Sequence, residues 1–317
     1  MSKDKKRIIL DVDTGIDDAL AIIYAVKSED AIVEGITTGF GNVDAKQATE
    51  NTLKILDLIH PKYEIPVAIG SNKPLFRPRR EPSVDIHGHD GLGEYLLPET
   101  ERTAIEHHAA DFIIKEVNDN PHNLTLIFTG RLTNLAIALA KDPTIAFKVK
   151  ELVLMGGALH VPGNITELAE ANIHGDPEAA YRIFESGIPI KMVGLDVTSN
   201  TKFDEGHFEE LMDRLSENQQ GLKNFLKHIF QFSFDASDNL NEGRYRLMHD
   251  PLAVGVAIDS NYVKTEDFYI YIETRGALSS GATLADFRNP QTETNASVCM
   301  EVNNQLFIQH YIDTVTK

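Results

Sequence analysis

The sequence lacks what a secreted, disulfide-stabilised or membrane-bound protein needs. Its single cysteine, Cys299, excludes an internal disulfide and fits a reducing compartment. No apolar stretch is long enough to cross a bilayer, and the apolar run that follows the charged residues 1–7 is too short for a signal-peptide core. These absences predict a cytoplasmic protein with no membrane partner.

Basic residues are scarce relative to acidic ones. The chain has 30 Lys and Arg against 48 Asp and Glu, which gives a formal net charge of -18. A polyanion repels this surface, so the balance argues against nucleic-acid partners and anionic membranes. The same excess of carboxylates is compatible with cation binding.

The chain also lacks internal repeats and low-complexity linkers. Its 317 residues, 42% of them apolar, are enough for one large α/β domain with a full core. We therefore expect a single domain over residues 1–317.

Short apolar runs alternate with helical patterns through the first two thirds of the chain. Buried strands are predicted at residues 8–10, 32–38, 65–69, 124–128, 151–155 and 189–195, with helices at 45–58 and 106–117 and near residues 132 and 177. Further on, residues 203–240 read as helical, 268–272 and 296–302 as strands, and 306–315 as a helix. Continuous apolar strands between helices indicate a mostly parallel, helix-flanked, Rossmann-like sheet. Its active site is expected at the carboxyl ends of the strands.

Four aspartates follow the first predicted strand: Asp11, Asp13, Asp17 and Asp18, with Gly15 available for a tight turn. Carboxylates packed this closely repel one another and resist ionising unless a cation neutralises them. This pattern predicts a hard-cation site for Ca²⁺ or Mg²⁺. The alternative is that Asp17 and Asp18 cap a helix while the other two are solvated.

Other polar side chains also follow predicted strands, and each has a simpler structural interpretation. Asn42 ends a glycine-rich turn and is by composition an ordinary turn residue. His87, His89 and Asp90 lie among glycines in the long connection 71–103, which suggests either a mobile flap or a transition-metal site. Asp250, followed by proline, looks like a helix N-cap.

The segment Asp-Val-Asp-Thr-Gly-Ile-Asp-Asp-Ala at 11–19 resembles the signature of the nucleoside hydrolase family. The likeness continues in order with Gly-Asn at 41–42, Ile-His-Gly at 86–88, Thr-Gly at 129–130, Met-Gly-Gly at 155–157 and His-Asp-Pro at 249–251. It spans the chain from about Arg7 to beyond Arg288. The resemblance implies hydrolysis of the N-glycosidic bond of ribonucleosides to ribose and free base, assisted by Ca²⁺.

The resemblance assigns a role to each motif. The metal ligands would be the carboxylates of Asp13, Asp18 and Asp250 and the backbone carbonyl of Thr129. With two ribose hydroxyls and a water, these supply about seven or eight oxygens, which favours Ca²⁺ over six-coordinate Mg²⁺. Asp13 would be the general base that activates the water, and His249 would give a proton to the leaving base.

The remaining matched residues would bind substrate. The contacts expected from the resemblance are Asp17 with the 2′-hydroxyl, Asn172 with the 3′-hydroxyl, Asn164 and Glu170 with the 5′-hydroxyl, Met155 and Asn42 with the ribose, and His87 with the base. Asp11 would orient its neighbours without touching substrate. The base-binding residues of region 225–246 cannot be assigned from the sequence.

Two positions depart from the family pattern. Arg131 stands where the family usually has a small residue or proline, and Ala171 stands where it commonly has an aromatic residue. Arg131 could alter the surface of its loop, whereas a side chain directed to solvent would leave the Thr129 carbonyl unaffected. Ala171 removes an expected stacking surface from the pocket wall.

Two other functions fit part of the pattern. A haloacid-dehalogenase-type phosphatase also places an Asp-x-Asp loop after a strand and binds Mg²⁺, but it leaves the His-Asp-Pro motif unexplained. A non-catalytic, Ca²⁺-dependent nucleoside-binding protein is the third possibility. The family resemblance also implies purine and pyrimidine salvage and assembly as a homodimer or homotetramer.

Overall fold

The fold is an α/β domain, seen in a computed structural model that describes residues 5–82, 84–239, 243–288 and 293–317. The strands of the described residues are β1 (Lys6–Val12), β2 (Ala31–Thr38), β3 (Val67–Ile69), β4 (Leu124–Phe128), β5 (Glu151–Met155), β6 (Ile190–Val193), β7 (Lys202–Asp204), β8 (Tyr245–Leu247), β9 (Val263–Phe268), β10 (Tyr271–Ile272), β11 (Thr283–Leu284) and β12 (Ala296–Val302). Eight of them form one sheet, and the others form two small antiparallel pairs, β7 with β8 and β10 with β11.

Helices connect and cover the strands. They are α1 (Ile16–Lys27), α2 (Ala45–Ile59), α3 (Val84–His87), α4 (Ala109–Asp119), α5 (Thr133–Lys141), α6 (Ala171–Gly175), α7 (Pro177–Phe184), α8 (Leu195–Thr198), α9 (Glu205–Arg214), α10 (Gln220–Asn239), α11 (His249–Ile258) and α12 (Asn304–Val315). Short 3₁₀ turns occur at Pro143–Phe147, Glu217–Gln219 and Ser260–Tyr262. Within the described ranges, no helix has the length and apolar character needed to cross a membrane.

The main sheet has the strand order β3–β2–β1–β4–β5–β6–β12–β9. Every neighbouring pair is parallel except β12 with β9. Successive residues of β1 alternate between two apolar clusters, since Ile8 and Leu10 belong to one and Ile9 to the other. Both faces of the sheet are therefore covered, and the predicted mostly parallel, helix-flanked architecture is confirmed.

The strand order reverses between β1 and β4. The chain runs outward from β1 through β2 to β3, then returns to the other side of β1 and continues with β4, β5 and β6. Loops leaving β1 and β4 at their carboxyl ends turn to opposite faces, so a crevice opens between them. The aspartate loop follows β1 and Thr129 follows β4, which places both predicted motifs at this crevice.

Two parts of the predicted secondary structure differ from the fold. The stretch 203–240, whose last residue lies outside the described ranges, begins with strand β7 and is divided between α9 and α10. The strand predicted at 268–272 is the end of β9 followed by β10. β9 is an edge strand whose side chains are largely exposed, so its polar sequence has no apolar run to detect.

Helix α11 packs against α1, so residues from an early and a late part of the sequence lie next to each other at the site. The backbone N–H of Asp250 donates a hydrogen bond to Asp17 Oδ2 at 3.1 Å. Asp250 lies inside α11, whose N-cap is Met248, so the interpretation of Asp250 as an N-cap is wrong. Its carboxylate is left available for another role.

Cys299 is fully buried in β12, and burial raises the pKa of its thiol to about 12. Since the thiolate is the reactive form, we expect the native protein near pH 8 to react with iodoacetamide at least about 100-fold more slowly than free cysteine. The same protein in urea should react at the rate of free cysteine. Rapid labelling of the folded protein would show that β12 opens readily.

Candidate active site

The aspartate loop is held by one of its own carboxylates. Asp18 Oδ2 accepts the backbone N–H of Gly15 at 3.0 Å, and Asp18 Oδ1 accepts the hydroxyl of Thr129 at 2.8 Å. Asp18 also accepts the N–H of Asp13 at 3.3 Å. This carboxylate therefore shapes the turn before α1 and ties it to the loop after β4.

Asp13, Asp17, Asp18 and Asp250 are all 5% exposed or less. Burial raises the pKa of each, and repulsion by neighbouring aspartates raises the pKa of Asp13, Asp18 and Asp250 further. The charges of the other three aspartates raise the pKa of Asp250, which lies well above its ordinary value. The interpretation of Asp11 and Asp13 as solvated residues is wrong, because both are 1% exposed. Four buried carboxylates in electrostatic contact need positive charge nearby.

Asp11 faces away from this group. Its Oδ2 accepts hydrogen bonds from the Thr37 hydroxyl and the Asn134 side-chain amide, and burial raises its pKa to about 7. Its contacts link β1 to β2 and to α5 beneath the crevice. This placement agrees with a residue that supports the loop without touching a ligand.

Two arginines supply positive charge. Arg246 Nη2 lies 3.5 Å from Asp17 Oδ1, and Arg131 forms an ion pair with Asp13 Oδ2. The Arg131 guanidinium lowers the pKa of Asp13 against the effect of burial. The possibility that Arg131 points to solvent is wrong, since its side chain is only 15% exposed and reaches into the crevice.

The donor chemistry of this cluster fits a hard cation. All the candidate ligands are oxygens, and four carboxylates face two paired arginines, so negative charge is in excess. Asp17 Oδ1 is buried and accepts no hydrogen bond from the described part of the chain. Nevertheless, among the described residues no three His, Cys, Asp or Glu side chains are arranged so that they could hold a metal ion together. The oxygens of Asp13 accept hydrogen bonds from Arg131 and from the backbone and side-chain N–H groups of Asn42.

A cavity of about 180 Å³ lies above the cluster. Its walls include the predicted substrate contacts Asp17, Asn42, His87, Met155, Asn164, Glu170 and Asn172, together with Thr129, His249 and Asp250. Asp13 and Asp18 lie beneath these walls. The structure therefore brings the predicted site residues together around one cavity, and the supporting Asp11 lies below it.

The predicted ribose contacts form a hydrogen-bonded wall. Glu170 caps α6 by accepting the N–H groups of Asn172 and Ile173 at 2.8 and 3.1 Å. Asn172 donates from its side chain to the carbonyls of Thr129 and Met155 at 2.7 and 3.1 Å. Amide and carboxylate groups fixed in this way offer donors and acceptors of the kind that sugar hydroxyls need.

Asn164 and Ala171 meet at the rim. Asn164 Oδ1 accepts the N–H of Ala171 at 2.9 Å, which fastens the exposed loop to the start of α6. Asn164 also lines the cavity. Asn42 is more than a turn residue, because its side-chain amide bonds both Asp13 and Asp18 at 3.0 Å.

The opposite end of the cavity holds His87 and His249. His87 Nδ1 accepts the N–H of Ile16 at 3.2 Å, so the flap residue is fixed to the start of α1. His89 and Asp90 are not part of a metal group there; Asp90 instead accepts the N–H groups of Leu92 and Glu94. Burial and the charge of Arg246 lower the pKa of His249 to about 4. A pKa this low favours the neutral ring at pH 7.

Sequence reasoning missed Arg246. It lies in β8 opposite Phe203 of β7, is 8% exposed, and donates to the Ser233 hydroxyl at 2.7 Å. Buried atoms without a hydrogen-bond partner in the described ranges occur together here: Asp17 Oδ1, Arg246 Nε and His249 Nδ1. The signal in the sequence that could have found Arg246 is its position three residues before His249.

A second cavity of about 730 Å³ adjoins the first. Ile86, Arg246 and His249 line both, and the second is otherwise bounded by the flap and by α10. A ligand bound at one end by the ribose wall, which is formed by Glu170 and Asn172, would therefore extend toward α10 at its other end.

Known proteins resemble this chain in sequence and in fold. The sequence profile of the family described as inosine-uridine preferring nucleoside hydrolase matches residues 8–309. The chain is 37% identical to the inosine-uridine preferring nucleoside hydrolase of Crithidia fasciculata, over 91% of this chain and 90% of that one. It is 35% identical to the probable uridine nucleosidase 1 of Oryza sativa subsp. japonica, over 89% of this chain and 85% of that one. Its structure matches the purine-preferring ribonucleoside hydrolase from Gardnerella vaginalis with a TM-score of 0.91 and 35% identity, covering 98% of each chain.

Proposed function

Because this chain belongs to the inosine-uridine preferring nucleoside hydrolase family and hydrolyses the N-glycosidic bond of ribonucleosides, we propose that it does so with Ca²⁺ bound among the buried aspartates. The ligands would be the carboxylates of Asp13, Asp18 and Asp250 and the carbonyl of Thr129. The observation that carries this proposal is the cluster of four buried carboxylates at the β1–β4 crevice, whose charge the two paired arginines do not balance. When bound there, the cation would acidify the attacking water.

Asp13 is the proposed general base. It is buried at the crevice, and the positive charge of the bound cation would favour its ionised form. An ionised carboxylate at this position takes a proton from the water that attacks C1′. Asp17 Oδ1, which accepts no hydrogen bond from the described residues, would accept one from the 2′-hydroxyl of the sugar.

The ribose wall orients the sugar. Asn172 would bind the 3′-hydroxyl, and Asn164 and Glu170 the 5′-hydroxyl, while Met155 packs against the ring and Asn42 borders it. The transition state has oxocarbenium character, so fixed carboxylate and amide oxygens around the sugar stabilise its developing positive charge.

His249 and His87 lie at the base end of the cavity. His249 would protonate the departing base and His87 would contact it. Because burial and the charge of Arg246 lower the pKa of His249 to about 4, this role requires the ring to take up a proton when the nucleoside binds. Negative charge developing on the base favours that uptake by raising the pKa of the ring.

The test of the proposed function is release of free ribose from inosine, uridine, cytidine and adenosine by the purified protein, with and without a Ca²⁺ chelator. Ribose should appear with each good substrate, disappear on chelation and return when Ca²⁺ is restored. The relative rates give the base preference. Full activity after exhaustive chelation would remove the cation from the mechanism.

Membership of this hydrolase family argues against the two other functions considered from the sequence, the phosphatase and the non-catalytic nucleoside-binding protein. Within the hydrolase function, we also propose a cytoplasmic location, a role in purine and pyrimidine salvage and assembly as a homodimer or homotetramer. The single buried thiol supports the location, since it fits a reducing compartment.

A further inference from the structure

We propose that Arg131 is a built-in counter-ion of the cation site, which holds Asp13 in the cation-free protein and must leave it when the cation binds. This inference rests on the proposed Ca²⁺ site. It concerns a residue for which the family resemblance supplies no role, because the family usually has a small residue or proline at this position.

The contacts of the guanidinium place it between two predicted ligands of the cation. Arg131 Nη1 pairs with Asp13 Oδ2 and also donates to Asn172 Oδ1 at 3.1 Å. Asn172 in turn donates to the carbonyl of Thr129 at 2.7 Å. Arg131 therefore pairs directly with the carboxylate of Asp13. It is also connected to the carbonyl of Thr129 through the side chain of Asn172.

The surrounding backbone leaves room for this side chain. A Cβ at Gly175 would lie 2.7 Å from Arg131 Nε, and a Cβ at Gly41 would overlap both Asp13 Oδ2 and the Arg131 Nη1 paired with it. Both glycines have ordinary backbone angles, so their lack of a side chain matters here for space and not for conformation. The slot between them fits a guanidinium, which argues that the Arg131 contact is part of the fold.

The electrostatics of the cluster explain why a counter-ion is useful. Without a cation, four buried carboxylates repel one another, and Arg131 reduces the negative charge at Asp13. A divalent cation on Asp13 carries the same sign as the guanidinium and needs the same oxygens. The two positive groups therefore compete, and the price of binding Ca²⁺ includes breaking the Arg131–Asp13 pair.

The experiment measures Ca²⁺ affinity directly, by competition with a chromophoric chelator on protein freed of metal. In Arg131→Gln the charge is lost while a polar side chain of moderate length remains, and its Kd for Ca²⁺ should fall by on the order of tenfold or more. Arg131→Lys keeps the charge and should stay closer to the parent. Arg80→Gln is the matched control, because Arg80 lines the same cavity but bonds His174 at 3.1 Å and no carboxylate of the described ranges.

A second readout separates competition from a general structural effect. The metal-free Arg131→Gln protein should melt a few degrees below the metal-free parent, and this gap should close when both are saturated with Ca²⁺. Equal Kd values for the parent and Arg131→Gln, or weaker binding by the variant, would overturn the proposal while leaving the Ca²⁺ site intact. Failure of every variant and of the parent to bind Ca²⁺ would instead overturn both this proposal and the proposed site.

Discussion

Replacement of Asp13 by asparagine is expected to lower kcat for ribonucleoside hydrolysis by about 10³-fold at saturating Ca²⁺. Asparagine has nearly the shape of aspartate and keeps one oxygen for the Asn42 amide, which bonds Asp13 Oδ1 at 3.0 Å. It cannot take a proton from water. KM should change far less than kcat, since the ribose wall formed by Glu170 and Asn172 is untouched.

Asp196→Asn is a matched control for this variant. Asp196 is also a buried aspartate after a parallel strand, and its carboxylate accepts the N–H groups of Leu159 and His160 outside the cavity. Asp196→Asn should keep kcat within about twofold of the parent. A larger loss in this control would show that removing any buried carboxylate lowers kcat. Near-full turnover by the Asp13 variant would exclude Asp13 as the general base.

His249→Ala is expected to lower kcat on nucleosides by about 10²- to 10³-fold while slowing an aryl riboside with an acidic phenol by less than about tenfold. A purine or pyrimidine leaves poorly without a proton, whereas a nitrophenolate leaves without one. The ratio of the rates on the two substrates therefore measures the loss of proton donation separately from any other loss of activity. His249 precedes Asp250 at the start of α11, so a disturbed helix would also weaken the proposed cation site.

The aryl riboside serves as the internal control for that disturbance. If both substrates lost activity equally, His249 would be a residue that holds α11 and Asp250 in place. If neither lost activity, another group would supply the proton. Arg246 is the nearest candidate for stabilising a departing base, because it lines both cavities and has a buried Nε without a partner among the described residues.

The sheet and the aspartate loop could be predicted from the sequence because their signals are local. Strands β1, β4 and β5 are continuous apolar runs, and each ends at a polar or glycine-rich turn. In a parallel sheet those turns share one edge, so residues far apart in sequence can be placed together without knowing any contact. That reasoning placed the aspartate loop at the ligand-binding edge of the sheet, whereas the family resemblance supplied the other residues around the cavity.

Arg131 and Arg246 could not be placed by the same reasoning. An arginine in a loop is usually solvated, and the direction of its long side chain depends on what the surrounding backbone leaves open. For Arg131 the deciding features are Gly41 and Gly175, which approach it from different loops. For Arg246 the deciding feature is the pairing of β8 with β7, two short strands that have no strong pattern of their own.

The packing of α11 on α1 has a consequence for synthesis of the protein. The loop that carries Asp13, Asp17 and Asp18 emerges from the ribosome early, whereas Asp250 follows more than two hundred residues later. A nascent chain can therefore assemble β1, β2, β4 and β5 before the fourth carboxylate is present. The last and most repulsive charge arrives with α11, when most of the apolar core that must hold it has already been translated.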